Sequence, residues 1–431
     1  MTSSDQLLPS AQAKPGLLHQ EVSAAHDAVR TKCALLADGI RIDKDCLPVN
    51  SINLTRRHLY DYGVAQAGYE IPYEVILTRL PSLANMPILA RVRYNPDSAW
   101  ELRVVGDEDV LCNLETGAEQ KVEVPRVTDF RGHQVMGLDL SQVVQRLGYD
   151  LLGLVPTNYC SYYTASEKCI FCEIVETFDD ESSKGTPYRK RHDLLIAATE
   201  MAAQMDDLIT SVTYNGGQLA GYDQTTKMYV RLIGAVRSRS ATKHLDTTIA
   251  CMPPDTLGLI DDLCAAGLNQ IFFNVESYDE KALLKLAPAK AKVGIPKMVA
   301  AMKYATASFG VGRVYTNLVY GVQSLGVGSD AEDSAAENRL MLDAADRISA
   351  EGIVPTFTVY HSSGRNSTGF IKLSAEALYE HTYRYGQIVW NSGVIDHARQ
   401  SILFTIGSLP NTTYNDGWVL SLLESLAPSR A

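Results

Sequence analysis

From residue 149 onward, short apolar runs alternate with longer segments of helical spacing, and this alternation constrains the fold more than any other feature. Six apolar runs have the length of buried strands: 151–155, 208–214, 245–251, 270–274, 312–319 and 353–360. Six strand–helix units in succession predict a parallel sheet with right-handed crossovers. We therefore predict an α/β fold whose sheet curls into a partial (βα)6, TIM-like barrel, with its chemistry at the carboxyl ends of the strands.

The chain before and after this region has a different character. Residues 1–18 are rich in Ser, Gln and Pro and predict a disordered tail. Residues 19–148 carry helical patterns at 21–36, with Gly39 as the stop, and at about 55–67, followed by strand-like runs between 88 and 135. They predict an N-terminal α+β domain with a small antiparallel sheet. We assign 149–372 to the barrel and 373–431 to a C-terminal helical extension on its outside or open edge, with a helix near 375–390 and the runs LFTIGSLP and GWVLSLL.

Charge and composition exclude several classes of partner. The net charge is −11, whereas nucleic-acid binding needs a clustered positive surface. No run of 18 apolar residues occurs, and the first residues lack the basic and apolar segments of a secretory signal. Eight cysteines spread along such a chain are typical of a reducing compartment. We therefore expect a cytoplasmic protein that binds neither nucleic acid nor a membrane.

Three cysteines follow the first apolar run within 13 residues: Cys160, Cys169 and Cys172. Three thiolates can hold three irons of a [4Fe–4S] cluster and leave the fourth iron open to a small molecule. A zinc site would need a fourth ligand, for which His192 and Glu173 are candidates. The cysteines alone leave both metals open, along with three unrelated buried thiols. The remaining cysteines form no CxxC group and are interpreted as buried thiols: Cys33, Cys46, Cys112, Cys251 and Cys264.

Residues able to hold a ligand follow the second and fourth apolar runs. Gly216 and Gly217 would let a backbone approach a ligand that a Cβ would block, although a simple turn has the same composition. Asn274, Glu276 and Ser277 come after an apolar run as polar groups. Ser277 also fits a helix capping box with the glutamate three residues later, and both roles can coexist.

The fifth and sixth runs add further candidates. Arg313, Tyr315 and Asn317 recur at every second position and share one face of a strand, which we predict to point into the barrel. The turn 361–366 contains His361 and Arg365, which either contact substrate or lie in a solvated loop.

Over roughly residues 151–365, this arrangement resembles the radical S-adenosylmethionine (SAM) enzymes. In that family a cluster-binding loop follows the first strand of a partial (βα)6 barrel, and an aromatic residue precedes the last cysteine, as Phe171 does here. The family's GGE motif, which contacts the methionyl amino group, resembles Gly216, Gly217 and Gln218. The usual cysteine spacing is CxxxCxxC, whereas eight residues separate Cys160 from Cys169. A longer loop adds reach at modest entropic cost.

The resemblance also assigns residues on later strands. Asn274 and Glu276, with Ser277, match the strand-four position that reaches the ribose or methionyl part of SAM. Arg313 and Val314 match the strand-five segment, with the Val314 backbone at adenine and the glycine position at residue 321. Gln218 replaces the acid of GGE, so a charged contact to SAM becomes neutral and Glu276 is expected to compensate.

The resemblance implies a radical SAM enzyme with a [4Fe–4S] cluster and SAM as cofactors. The three loop cysteines would be the ligands, and Tyr315, His361 and Arg365 are candidates for substrate contact. Reductive cleavage of SAM would lead to hydrogen abstraction from a small molecule, in specialised metabolism, with an electron donor such as flavodoxin or ferredoxin. Two alternatives stay open: a radical SAM 3-amino-3-carboxypropyl transferase, and a zinc-stabilised barrel that binds a ligand without turnover.

Overall fold

The computed structural model describes residues 15–42, 54–55, 71–83, 85–125, 128–148, 150–175, 185–323, 333–360, 373–395 and 412–427. The predicted tail up to residue 14, the run LFTIGSLP, and the turn with His361 and Arg365 lie outside the described residues. Within the described ranges, no helix is both long enough and apolar enough to cross a membrane.

The first helix, α1 (Pro15–Asp38), begins inside the predicted tail and ends where the sequence indicates. Gly39 has a φ of 84°, and its N–H donates to the Leu35 carbonyl at 2.8 Å. Glycine adopts this left-handed conformation without steric cost, so it terminates the helix. The apolar stripe that predicts the helix is its buried face, with Val29 and Cys33 fully buried.

Ten short strands precede the barrel: β1 (Arg41–Ile42), β2 (Leu54–Thr55), β3 (Ile71–Pro72), β4 (Glu74–Leu80), β5 (Met86–Arg91), β6 (Trp100–Val105), β7 (Glu108–Asn113), β8 (Glu119–Val122), β9 (Gln134–Val135) and β10 (Leu138–Asp139). β6, β7 and β8 form the predicted antiparallel sheet, and β1 adds a parallel edge strand to it. Thr55, where the sequence predicts the start of a helix, pairs instead with β3, and residues 56–67 of that helix lie outside the described residues.

Seven further strands form one curled sheet: β11 (Val144–Leu147), β12 (Leu151–Leu154), β13 (Ser211–Asn215), β14 (Asp246–Ala250), β15 (Gln270–Phe272), β16 (Val314–Tyr320) and β17 (Val354–Val359). β12 to β17 are parallel neighbours in chain order, which confirms the predicted α/β partial barrel. β11 pairs antiparallel with β12 through a hairpin. The predicted domain boundary at residue 148 therefore cuts through the sheet, because β11 belongs to it.

The helices after α1 alternate with these strands: α2 (His192–Met205), α3 (Tyr222–Arg237), α4 (Gly258–Ala265), α5 (Glu280–Leu286), α6 (Pro288–Val293), α7 (Ile295–Phe309), α8 (Ser334–Ala350), α9 (Ala375–Asn391) and α10 (Tyr414–Leu426). Side chains alternate between two faces of the sheet. On the helix-covered face, the Tyr214 hydroxyl bonds to Thr199 of α2 at 2.9 Å. On the opposite, inner face, Thr358 donates to Asn317 Oδ1 at 3.0 Å, so Asn317 points inward as predicted.

The C-terminal helices pack on β17, at the edge of the sheet. Tyr385 of α9 donates its hydroxyl to the Pro355 carbonyl. α9 and α10 touch at Gly386 and Gly417, where a Cβ on Gly386 would lie 2.0 Å from the Gly417 carbonyl oxygen. Only glycine permits so close a crossing.

The two ends of the described chain meet at this edge. Lys32 of α1 and Asp416 of α10 form a fully buried ion pair at 2.6 Å. One continuous hydrophobic core includes residues of α1, the N-terminal sheets, the barrel and the C-terminal helices. The segments that the sequence assigns to separate units therefore share a single core.

Candidate functional site

Three cysteines lie on the loop that follows β12, residues 155–175, called here the cysteine loop. Cys160, Cys169 and Cys172 are half-buried and not disulfide-bonded. The Cys172 N–H donates to the Cys169 carbonyl at 3.0 Å, so these two residues close one turn and their Cα atoms lie within about 7 Å. The loop starts from the carboxyl end of β12, the first parallel strand of the sheet, and the carboxyl ends of the strands are where parallel α/β sheets carry their ligand sites.

The glycine pair after β13 packs against the cysteine loop. The Gly217 N–H donates to the Thr157 carbonyl at 2.8 Å. A Cβ on Gly217 would lie 2.1 Å from the Tyr159 carbonyl oxygen, and one on Gly216 would lie 2.7 Å from the Thr157 carbonyl oxygen. The sequence predicts that these glycines admit a close backbone neighbour, and in the structure that neighbour is the loop that carries the cysteines.

Gln218 ties three elements together. Its carbonyl accepts the Ser161 N–H at 2.8 Å, which fixes the loop one residue after Cys160. Its side-chain Nε2 donates to the Thr225 hydroxyl at 2.5 Å, and its Oε1 accepts the Met252 N–H at 3.3 Å. The amide expected to meet the SAM amino group is thus already bonded to α3 and to the end of β14.

A second attachment, the α5–α6 clamp, holds the other side of the cysteine loop. It consists of the Ile170 N–H donating to the Leu286 carbonyl at 2.9 Å and of an ion pair between Lys292 and Glu167. Phe171 packs on the same side, against a small apolar cluster that includes Leu286. The aromatic residue before the last cysteine therefore anchors the loop to the barrel.

The clamp places Lys290 of α6 at the site, a residue that the sequence pattern does not single out. Its Nζ donates to the Asn274 carbonyl at 2.9 Å and pairs with Glu276 Oε1 at 2.5 Å. Glu276 is buried and has a φ of 69°, unusual for a residue with a side chain. Its N–H donates to the Asn317 carbonyl at 2.9 Å, so the sheet maintains this conformation. Strain of this kind concentrates at functional sites.

Electrostatics connect this pair to the cysteines. Burial raises the pKa of the Cys169 thiol to about 11, the Lys290 ammonium opposes that rise, and Glu276 and Cys160 add to it. Burial disfavours the Lys290 ammonium, yet Glu276, Cys169 and Cys172 outweigh burial and raise the pKa of Lys290. The thiols and the ion pair therefore share one electrostatic environment.

Two residues beside this pair have distinct surroundings. Asn274 Oδ1 is buried and has no hydrogen-bond partner among the described residues, which suits the donor of a bound ligand. The Ser277 hydroxyl accepts the Asp279 N–H at 3.1 Å. Asp279, and not Ser277, caps α5 by accepting the Ala282 N–H at 3.0 Å.

The strand-five candidates lie at the other end of the sheet. Val314 is the first residue of β16 and pairs with Ile271, and Arg313 precedes the strand. Tyr320, at the carboxyl end of the strand, lies six positions after Val314, which is roughly 20 Å of strand. The structure does not bring Arg313 or Val314 together with the cysteine loop. Tyr315 is also near this end, fully buried and stacked on a phenylalanine of β15 at 4.7 Å.

The thiolate set was tested against the cofactors that the sequence leaves open. Over the part of the chain that the structure describes, no three His, Cys, Asp or Glu side chains gather closely enough to hold a single metal ion. Cysteine ligands of a four-iron cluster each bind a different iron, so they lie farther apart than ligands of one ion. Three thiols that form no disulfide lie on a loop held at both sides, near an Asn274 Oδ1 without a partner among the described residues, and this arrangement fits such a cluster and a polar ligand beside it.

No protein-family model and no curated protein matches the sequence. Among solved structures, the fold is similar to the FeFe-hydrogenase maturase HydG from Carboxydothermus hydrogenoformans, at 15% identity over 62% of this chain and 59% of that chain, with a TM-score of 0.41. It is similar to methylornithine synthase at 14% identity, over 66% and 84% of the two chains, with a TM-score of 0.40. It is also similar to a radical SAM methyltransferase from Sphaerobacter thermophilus at 13% identity, over 69% and 76%, with a TM-score of 0.38.

The region similar to this protein covers 59% of the maturase chain, which is less than two thirds of its length.

Proposed function

We propose that this protein is a radical SAM enzyme that binds a [4Fe–4S] cluster through Cys160, Cys169 and Cys172. The observation that carries the proposal is the attachment of the cysteine loop at the carboxyl end of the sheet. The glycine pair holds one side of the loop and the α5–α6 clamp holds the other. A thiolate-bearing loop held at two sides is pre-organised for a cofactor, which lowers the entropic cost of binding.

When bound, the cluster and SAM would supply one-electron cleavage of the sulfonium and, from it, a carbon radical able to remove hydrogen from an unactivated carbon. The chain's own residues would bind and orient. Phe171 would cover one side of the cluster with apolar surface, and Asn274 Oδ1 would accept a hydrogen bond from a SAM hydroxyl or amino group. Glu276 would hold Lys290 and offer its second oxygen to the ligand.

The substrate would be a small molecule that enters over the polar inner face of the sheet. Asn317 and Thr358 on that face provide amide and hydroxyl groups for it. We further propose a cytoplasmic enzyme of specialised metabolism that receives its electron from a flavodoxin or ferredoxin. The described cysteines form no disulfide, which is consistent with a reducing compartment.

The cluster is tested by anaerobic reconstitution with iron and sulfide. The wild-type protein should turn brown and contain about four irons per chain, the composition of a [4Fe–4S] cluster. Cys160→Ala, Cys169→Ala and Cys172→Ala should each lose most of the colour and iron. Cys264→Ala is the matched control, because Cys264 is a half-buried thiol of α4 outside the cysteine loop, and it should keep both. A colourless zinc protein, or a full cluster in Cys160→Ala, would refute the assignment.

The reaction class is tested by the product of SAM cleavage under dithionite. 5′-Deoxyadenosine is expected, in amounts that rise when the true substrate is added. Methylthioadenosine would instead support transfer of the 3-amino-3-carboxypropyl group. Asn274→Ala should weaken SAM affinity, measured by equilibrium binding to the reconstituted protein, and an unchanged affinity would remove Asn274 from the site.

A further inference from the structure

Lys290 is a cation on α6, near the cysteine loop. Contacts between the helices and the loop flank it in the sequence on both sides. The two contacts of the α5–α6 clamp involve residues 286 and 292 of the helices and residues 167 and 170 of the loop. Lys290 lies between the first two positions, and Cys169 lies between the second two. The clamp therefore holds the chain at Lys290 and the chain at Cys169 in neighbouring segments independently of any ligand.

The positive member of the ion pair acts on the sulfurs more strongly than the negative member. Both Cys169 and Cys172 contribute to the raised pKa of Lys290. After burial, Lys290 has the largest influence on the pKa of Cys169, ahead of the opposing influence of Glu276. Glu276 pairs with the ammonium at 2.5 Å, which keeps Lys290 charged and only partly cancels its field. The Lys290 side chain is 16% exposed, so water screens that field weakly.

We propose that Lys290 raises the reduction potential of the cluster held by the cysteine loop, with Glu276 as the group that positions it and moderates its effect. The inference rests on the proposed function. A fixed positive charge near a cluster stabilises the electron that the cluster accepts, and the effect is large where the dielectric constant is low. Lys290 would thereby make the first electron easier to deliver from a biological donor.

The test is a redox titration of the anaerobically reconstituted protein without SAM, followed by the electron paramagnetic resonance signal of the reduced cluster. Lys290→Met should lower the one-electron reduction equilibrium constant at least about tenfold, which is ~59 mV toward more negative potential. Lys285→Met is the matched control, because it removes the same charge from the neighbouring helix α5 without removing a contact of the clamp. The Lys285 side chain is exposed, so its removal should shift the potential much less.

Two further variants separate charge from structural damage. Glu276→Gln should shift the potential in the opposite direction, because it removes the moderating negative charge. Lys290→Arg should restore a potential close to that of the wild type. If Lys290→Met takes up no cluster, the neutral double variant Lys290→Met with Glu276→Gln provides the measurement, and it should still have a lowered potential.

A shift in Lys290→Met no larger than that in Lys285→Met would overturn the inference. Shifts of the same sign in Lys290→Met and Glu276→Gln would also overturn it, because they would indicate a loosened site and not a charge effect. Either result would leave the proposed function standing if the wild type holds a four-iron cluster. A wild-type protein without such a cluster would overturn both.

Discussion

Two buried lysine–carboxylate pairs among the described residues belong to regions with different tasks. Lys32 and Asp416 lie 2.6 Å apart at the junction of α1 and α10, with side chains 0% and 2% exposed. Lys290 and Glu276 lie 2.5 Å apart below the cysteine loop, with side chains 16% and 8% exposed. The first pair joins residues 384 positions apart, whereas the second joins residues 14 positions apart.

Burial and pairing alone do not distinguish a structural ion pair from one at a functional site. The residues next to each pair do distinguish them. Beside Lys32 lies Cys33, a thiol that is fully buried and whose pKa burial raises far above its usual range. Beside Lys290 lie half-buried thiols, a backbone at a φ of 69° and an unpartnered Asn274 oxygen. The Lys32–Asp416 pair lies beside a fully buried thiol, whereas Lys290 lies beside half-buried thiols and a polar oxygen that the described residues leave open to a ligand.

The largest expected difference between the regions is in stability. Lys32→Met should lower the free energy of unfolding by about 3–5 kcal/mol, because it leaves a fully buried carboxylate without its partner. Lys290→Met should cost only about 1–3 kcal/mol, since Asn317 Nδ2 still donates to the Glu276 carboxylate at 3.5 Å. Urea denaturation of the anaerobic proteins measures both values. Equal losses would contradict the distinction between junction and site.

A second contrast uses the close glycine contacts of the two regions. Gly386→Ala places a Cβ 2.0 Å from a backbone oxygen of α10, and it should lower the free energy of unfolding by about 1–3 kcal/mol. Gly217→Ala places one 2.1 Å from the Tyr159 carbonyl, and it should displace the cysteine loop.

The two alanine variants should therefore fail in different measurements. Gly217→Ala should lose most of its bound iron after reconstitution and change the midpoint of thermal unfolding little. Gly386→Ala should bind iron normally but unfold at lower temperature. If Gly217→Ala binds a full cluster, the glycine pair does not position the loop.

The sequence predicts the frame of this molecule better than the side chains of its site. The alternation of apolar runs with segments of helical spacing predicts the parallel strand order, because each apolar run must be buried between helices. The cysteine loop and Phe171 follow from local spacing. The role of Lys290 does not, since the run PAKAKV carries two lysines and only the tertiary clamp decides which one is buried.

Two other outcomes depend on information that local patterns lack. The sequence indicates that Gly217 admits a close neighbour, but not that the neighbour is the protein's own loop. Arg313 and Val314 were assigned to the site by resemblance, yet β16 continues to Tyr320 and puts them at the opposite end. Whether a residue lies at the amino end or the carboxyl end of a strand depends on where the strand ends.

A third prediction concerns pH and the junction. His381 of α9 is fully buried among Tyr320, Phe357 and Tyr385, and burial lowers its pKa to about 3. Its ring nitrogens have no hydrogen-bond partner among the described residues. The unfolded chain takes up a proton near pH 6.5 whereas the folded protein does not, so stability falls as pH drops below 6.5. At pH 5 this loss is ~2 kcal/mol.

His381→Leu should remove that loss. Its free energy of unfolding should decline less than that of the wild type between pH 8 and pH 5, whatever the substitution does at pH 8. Urea titrations at both pH values give the comparison. Parallel declines in the two proteins would show that His381 accepts a proton in the folded state.

The smallest expected effect completes a series of lysine–carboxylate pairs ordered by exposure. Lys297 and Asp255 lie 2.8 Å apart with side chains 52% and 57% exposed. Lys297→Met should cost less than about 1 kcal/mol, because solvent screens the pair and both side chains lose entropy in forming it. The cost should vanish in 1 M salt, where the Debye length falls to about 3 Å, whereas the cost of Lys32→Met should persist. A salt-independent loss at Lys297 would mean that exposure does not order these pairs, and the distinction drawn between the junction and the cysteine loop would then need another cause.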